Sequence, residues 1–256
     1  MFLSVFEMFK IGIGPSSSHT MGPMVAAARF LEMMRSSPFR FASVRASLHG
    51  SLAFTGVGHA TDRATILGLA GFEPEAYEHD AAETALAHNR DTHTLSPVGL
   101  PTLKFDPKTD LIFDYETTLP GHANGMRLMA TDKQGDVVLQ EVFYSVGGGF
   151  VLTEGELAKG IETGTGPAVP YAFHSAAEML KMAKLSGKSI AQMKEANELS
   201  RHSAERVCTG ISRIWADKNE CNARRLTKDC NQPGGQKVRR RDTANYETLQ
   251  NERGHN

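Results

Sequence analysis

The sequence predicts an α+β protein. An N-terminal β domain over residues 1–158, an antiparallel sheet flanked by helices, is followed by a linker over 159–172 and a mainly helical segment over 173–256. Three observations carry this reading. Apolar residues recur at helical spacing in MGPMVAAARFLEMMR and TDRATILGLAGF. They alternate at strand spacing in SVRASLHG, TLKFDPKTDLIFDYE and GMRLMATDKQGDVVLQEVFYSVGGGF. Beyond GIETGTGPAVPY, rich in glycine, threonine and proline, only helical spacing remains.

Each element has its own signal. Met24, Ala27, Ala28, Leu31 and Met34 share one helical face, and Pro23 suits a first turn, where its missing N–H costs nothing. Val44, Ala46 and Leu48 alternate as a strand. TDRATILGLAGF opens with Thr61 as N-cap and Asp62 in the first turn, and Gly71 is its stop. TLKFDPKTDLIFDYE reads as two strands around Asp-Pro-Lys-Thr, and the next strand pair as a hairpin around Asp-Lys-Gln-Gly-Asp. FHSAAEMLKMAKL is helical; after a Ser-Gly-Lys-Ser break a long helix starts at Ser189, with Val207, Ile211, Ile214 and Trp215 on one face. Residues 217–256 hold eight apolar side chains in forty, too few for a core of their own. This tail is either disordered or leads into a domain outside the chain.

Charge and cysteine usage exclude several classes of function. With 28 basic and 29 acidic side chains the net charge is −1, so no global field selects nucleic acid or a membrane surface. Only the tail from 217 is basic, and its RRLTKDCNQPGGQKVRRR run lacks interleaved aromatics, which reads as solvated surface. Three cysteines, Cys208, Cys221 and Cys230, without a secretory signal point to a reducing, cytoplasmic setting. No apolar run approaches membrane-spanning length.

Four clusters carry chemistry. In GPSSSHTMGP, Ser16, Ser17, Ser18, His19 and Thr20 gather hydroxyls, backbone N–H groups and an imidazole at a helix start, where the macrodipole favours a carboxylate or phosphate. The same residues also make a good helix cap. HGSLAFTGVGHATD repeats the design: small residues permit close backbone approach, and His59, Thr61 and Asp62 bunch at a second helix start. GHANGM sets His122 and Asn124 in a turn ahead of a strand. YSVGGGF, from Ser145 through Gly147 and Gly148, is a flexible strand exit or an anion-binding nest, without the spacing of a dinucleotide fingerprint.

These motifs, in this order, resemble the N-terminal part of the iron-sulfur-dependent L-serine dehydratases (L-serine ammonia-lyases) of the single-chain bacterial type. The matching text is SVFEMFKIGIGPSSSHTMGP, GSLAFTGVGHATDRATILGL, GHANGMRLMA, EVFYSVGGGF and PGGQKVRRR. The resemblance implies a first domain akin to an allosteric substrate-binding fold, followed by a helical catalytic domain that holds a 4Fe-4S cluster. One iron acts there as a Lewis acid on the substrate hydroxyl. A base takes the α-proton of L-serine, hydroxide departs, and the enamine hydrolyses to pyruvate and ammonia. Carried over by motif, His19, His59 and Asp62 are the catalytic candidates, with the base left open between the two histidines. Ser16, Ser17, Ser18, Thr20, Thr61, His122, Asn124, Ser145, Gly147 and Gly148 would form the serine pocket. A homo-oligomer is implied for the full-length enzyme, with neither nucleic acid nor membrane as partner.

The departures from the family pattern are specific. Family members are longer, and their cluster cysteines lie in a region this chain does not reach. Cys208, Cys221 and Cys230 do not match the cluster-binding run, so no metal ligand is assigned and the helical catalytic segment reads as incomplete. Ala123 stands where the family usually places proline. Two functions follow: the first part of an L-serine dehydratase, active with the remainder, or a non-catalytic serine-binding or assembly module. A pyridoxal-phosphate enzyme would need a Schiff-base lysine by a phosphate cup; Lys237, the nearest lysine to a glycine cluster, sits in the polar tail.

Overall fold

The computed structural model describes residues 2–160, 168–227, 231 and 237–253. Cys230, the centre of the predicted linker and the first residues of PGGQKVRRR lie outside them. The helices are α1 (Val5–Met8), α2 (Gly22–Arg35), α3 (Ser51–Thr55), α4 (Thr61–Leu69), α5 (His79–Thr92), α6 (Glu154–Ala158), α7 (Ala176–Ser186), α8 (Ile190–Leu199), α9 (Ala204–Thr227) and α10 (Asp242–Arg253). A π-helical turn, Ser17–Met21, runs into α2. The strands are β1 (Ser43–Gly50), β2 (Thr94–Leu95), β3 (Leu103–Lys104), β4 (Leu111–Asp114), β5 (Asn124–Thr131), β6 (Val137–Gly147) and β7 (Phe150–Thr153). The chain is α+β, and it divides into two compact units. Gly12–Lys159 forms most of one; the first eleven residues group with the C-terminal helices in the other.

The sheet has the order β2-β3-β1-β5-β6-β7, with β4 also on β1. It is mixed, where the sequence predicts an antiparallel one. β1 pairs antiparallel with β5 along its whole length, from Ser43↔Thr131 to Gly50↔Asn124. On its other edge β3 and β4 both run parallel to it, at Ser43↔Lys104 and Ala46↔Leu111. The two strands read around Asp-Pro-Lys-Thr therefore do not pair with each other. The turn between them is closed by Asp110 N–H on Asp106 O (2.8 Å) and by Asp106 N–H on the Asp110 carboxylate (2.9 Å), so it advances the chain along β1 instead of reversing it. The hairpin around residues 132–136 forms as read, as β5–β6.

Helix α2 covers the sheet with Met24, Ala27, Phe30, Leu31 and Met34, all at most 1 % exposed. Burying each of these larger side chains stabilises the unit by about 1.5–3 kcal/mol. Ala28 is only half-buried; Ala26 and Phe30 take the space expected of it. Helix α4 crosses α2 closely, because Gly68 leaves no Cβ between itself and Met24 O. Thr61 is the first residue of α4, not its cap. Ala60, at φ 55°, stands at the cap position, and the Thr61 hydroxyl is used elsewhere.

The helical unit shows its caps in the sequence. Ser175 accepts Glu178 N–H, Gly187 closes α7 in the left-handed region, and Ser189 with Gln192 forms a capping box for α8. The long helix read from Ser189 breaks after Leu199, because the Ser203 hydroxyl accepts Arg206 N–H and starts α9 afresh. Residues 204–227 and 242–253 are helical despite their polarity, with Arg225 paired to Asp242 across α9 and α10. Poverty in apolar residues denies this stretch a core but not helicity, since Glu, Arg, Lys and Ala are good helix formers. The N-terminal segment joins this unit through Glu198, 3 % exposed. Its carboxylate accepts Ser4 Oγ–H (2.7 Å) and Val5 N–H (2.6 Å) at the start of α1.

Candidate active site

The first two motifs are stitched together by a reciprocal pair of threonines. Thr20 Oγ1 donates to His59 O (2.8 Å), and Thr61 Oγ1 donates to His19 O (2.6 Å). Both threonines are essentially buried, at 1 % and 0 % exposed. Their hydroxyl protons are committed to holding two loops, each by the carbonyl of its own histidine. The consequence is that the His19 and His59 rings lie 4.9 Å apart, tilted by 35°.

Every polar atom of His19 is held. Its N–H donates to Ser16 Oγ (3.2 Å), its Nδ1 meets Ser18 Oγ (2.8 Å), and its Nε2 meets Ser51 Oγ (2.9 Å). The serine run thus caps the π-helical turn, as a run of serines should, and also frames the imidazole. Partial burial holds the His19 pKa below the usual 6.5; His59 alongside lowers it further, and hydrogen bonding to the Ser51 main chain opposes both. A histidine that resists protonation when folded gives full stability above the ordinary value and loses it as pH falls below it. The urea midpoint of the chain should therefore drop more between about pH 7 and about pH 5.5 than that of His19→Gln. Equal drops would show that His19 does not titrate this way.

His59 is differently placed. Its Nδ1 lies 2.9 Å from Thr55 O, a carbonyl that can only accept, so Nδ1 carries the proton and the neutral ring has its lone pair on Nε2. His122 has the opposite tautomer: Asn124 N–H donates to His122 Nδ1 (3.1 Å), which leaves the proton on Nε2. Asp62 sits half-buried in the first turn of α4.

The sheet brings the other two motifs to the same end of β1. Gly50 pairs with Asn124, and Ser51 N–H donates to Ala123 O (2.8 Å). Asn124 Nδ2 reaches across to Ser145 O (3.0 Å) at the end of β6. Ser145 is 3 % exposed, and its Oγ is buried without a hydrogen-bond partner. It presses on the start of α2, where a Cβ on Gly22 would sit 2.0 Å from it. The three glycines form the β6–β7 turn: Gly148 and Gly149, at φ 61° and 76°, are its two central residues, and Gly147 has φ 100°. Of the side chains placed here, the sequence reading named all but Ser51 and Thr55. Both lie inside the quoted HGSLAFTGVGHATD, but nothing in a serine after a strand-ending glycine reveals a histidine 32 residues earlier.

The two described cysteines are not placed to share one 4Fe-4S cluster. Cys208 and Cys221 are exposed free thiols on one continuous helix, α9, which at 1.5 Å per residue sets them about 20 Å apart. Among the described residues no group of three or more His, Cys, Asp or Glu side chains is placed to hold a metal ion. Nor is any described helix long and apolar enough to cross a membrane.

The chain is similar to known proteins along most of its length. A family model described as serine dehydratase beta chain matches residues 4–156, which takes in all four motifs. An L-serine dehydratase of Streptomyces coelicolor is 37 % identical over 254 residues, covering 98 % of this chain and 56 % of that protein. The Escherichia coli L-serine dehydratase TdcG is 40 % identical over 248 residues, 94 % of this chain and 53 % of its own length. An L-serine dehydratase of Helicobacter pylori is 40 % identical over 190 residues, 74 % of this chain and 42 % of that protein. The chain spans about half the length of the curated relatives it matches. The match spans the histidines joined by Thr20 and Thr61, the turn of Asn124 and the glycines after Ser145, and the chain belongs to the serine dehydratase beta chain family.

Proposed function

We propose that this chain supplies the serine-binding and proton-handling part of an L-serine dehydratase. In that reaction L-serine loses its α-proton and β-hydroxyl, and the enamine takes up water to give pyruvate and ammonia. The observation that carries the reading is the pair of opposed tautomers. His59, anchored through Nδ1 to Thr55 O, has Nε2 as the basic atom for the α-proton. His122, with Nδ1 filled by Asn124 N–H, has Nε2–H as a hydrogen-bond donor that steadies the departing hydroxyl. His19, its pKa lowered, stays neutral beside His59 and leaves the arriving proton uncontested by a neighbouring positive charge.

The remaining residues suit the ends of an amino acid. The turn through Ser16, Ser17 and Ser18 opens into the 14-residue α2, whose N-terminal dipole favours the substrate carboxylate. The unpartnered Ser145 Oγ beside Gly22 is a ready donor or acceptor there. Turnover is proposed for the chain together with the sequence that its relatives carry beyond the match. The purified chain alone should bind L-serine in a calorimetric titration, with D-serine and L-alanine binding more weakly. A chain that unfolds cooperatively yet takes up no L-serine overturns this reading.

A further inference from the structure

Ser51 belongs to no catalytic or binding assignment made so far, yet it touches three of the four motifs. Its N–H donates to Ala123 O (2.8 Å), between His122 and Asn124. Its carbonyl accepts Thr55 Oγ1–H (2.8 Å), and Thr55 in turn holds His59 Nδ1. Its Oγ lies 2.9 Å from His19 Nε2. The backbone delivers it there by a left-handed glycine: Gly50, at φ 54°, ends β1, and a Cβ on it would meet Ala123 O at 2.5 Å. A strand-to-helix turn this tight serves the placement of the next residue.

We propose that Ser51 is a positioning residue that fixes the orientation and tautomer of His19. This rests on the proposed function for its purpose, but not for its geometry. His19 Nε2 faces the Ser51 hydroxyl at 2.9 Å. In the proposed arrangement Nε2 carries the ring proton and donates it to Ser51 Oγ. With the proton on Nε2 the lone pair lies on Nδ1, 2.8 Å from Ser18 Oγ, and the Ser18 hydroxyl is then the donor. Ser18, its own proton committed, presents only lone pairs outward, and Ser16 Oγ follows at 3.4 Å. The order runs Ser51, His19, Ser18, Ser16, each member setting the direction of the next. In the serine site this gives the Ser18 oxygen an acceptor's role, suited to the ammonium group, and leaves the carboxylate to the dipole of α2. His19 is thereby an orienting group, consistent with the base assigned to His59 under the proposed function.

The test is nitrogen-15 NMR of the imidazoles in the whole chain, with His19 assigned by its loss in His19→Gln. In the wild-type chain His19 should show one tautomer, protonated at Nε2. Ser51→Ala should lose that single tautomer and give exchange between the two, while Ser51→Thr, which keeps the hydroxyl, should restore it. Ser18→Ala removes the partner of Nδ1 and should leave Nε2 protonated, so it decides the matter even if Ser51→Ala does not fold. A wild-type His19 protonated at Nδ1, or a folded Ser51→Ala with an unchanged tautomer, overturns the proposal. Calorimetry with L-serine on the same wild-type sample separates the two readings. An Nε2-protonated His19 without serine uptake keeps the role of Ser51 and removes the serine site.

Discussion

Gly22→Ala is expected to destabilise the sheet-containing unit by about 1–3 kcal/mol and to abolish L-serine binding. The added Cβ would lie 2.0 Å from Ser145 Oγ and 2.7 Å from Ser145 Cβ. A hydroxyl can rotate away, but a Cβ moves only with its strand. Shifting β6 at Ser145 drags the carbonyl that holds Asn124 Nδ2, and so disturbs the third motif as well. Urea denaturation followed by circular dichroism would read the loss. The double variant Gly22→Ala with Ser145→Gly should recover most of the stability, since the obstructing atoms are gone. It should not recover binding, because the buried hydroxyl is gone too. A single variant as stable as wild type would show that α2 and β6 do not meet this closely.

His59→Gln carries the largest expected effect on chemistry. Loss of a positioned general base costs about 10²–10⁴-fold in rate. Glutamine can keep a hydrogen bond to Thr55 O, so the loop held by Thr20 should stay in place. The measurement is pyruvate formation from L-serine by a chimera in which this chain continues into the second half of the Streptomyces coelicolor relative. Serine affinity should change little while the maximal rate collapses. His19→Gln in the same chimera should weaken binding along with rate, because Ser18 loses its partner. Should His19→Gln abolish turnover while His59→Gln spares it, the two roles are reversed.

Much of the secondary structure was legible because it depends on local pattern. Met24, Ala27, Leu31 and Met34 form the buried stripe of α2 at the spacing that predicts it, and Val44, Ala46 and Leu48 are the buried apolar residues of β1. Partner choice was not legible. Alternation says which face of a strand is buried and nothing about which strand lies beside it. Hence β3 and β4, adjacent in sequence, both lie on β1 and not on each other. The break between α8 and α9 was missed for a related reason: a serine inside an apolar periodicity reads as polar surface until its hydroxyl is seen capping a new helix. Grouping of the first eleven residues with the helical unit rests on partners almost two hundred residues away: the buried Glu198 carboxylate on Ser4 and Val5, His202 on the Phe6 ring and Lys194 over Phe2.

What the sequence by itself determined is the inventory: four ordered motifs, their histidines and serines, the helix starts that carry them and the family they resemble. Only the tertiary structure decided what each side chain touches. Thr20 and Thr61 look like pocket hydroxyls and prove to be the clasps between two loops. His19 and His59 are alike in sequence terms, yet one is held at both ring nitrogens and the other anchored at Nδ1 by a carbonyl. Ser51 carried no signal at all. The physical reason is that a hydrogen bond's direction is set by which partner arrives, and those partners lie 32 to 42 residues apart along the chain.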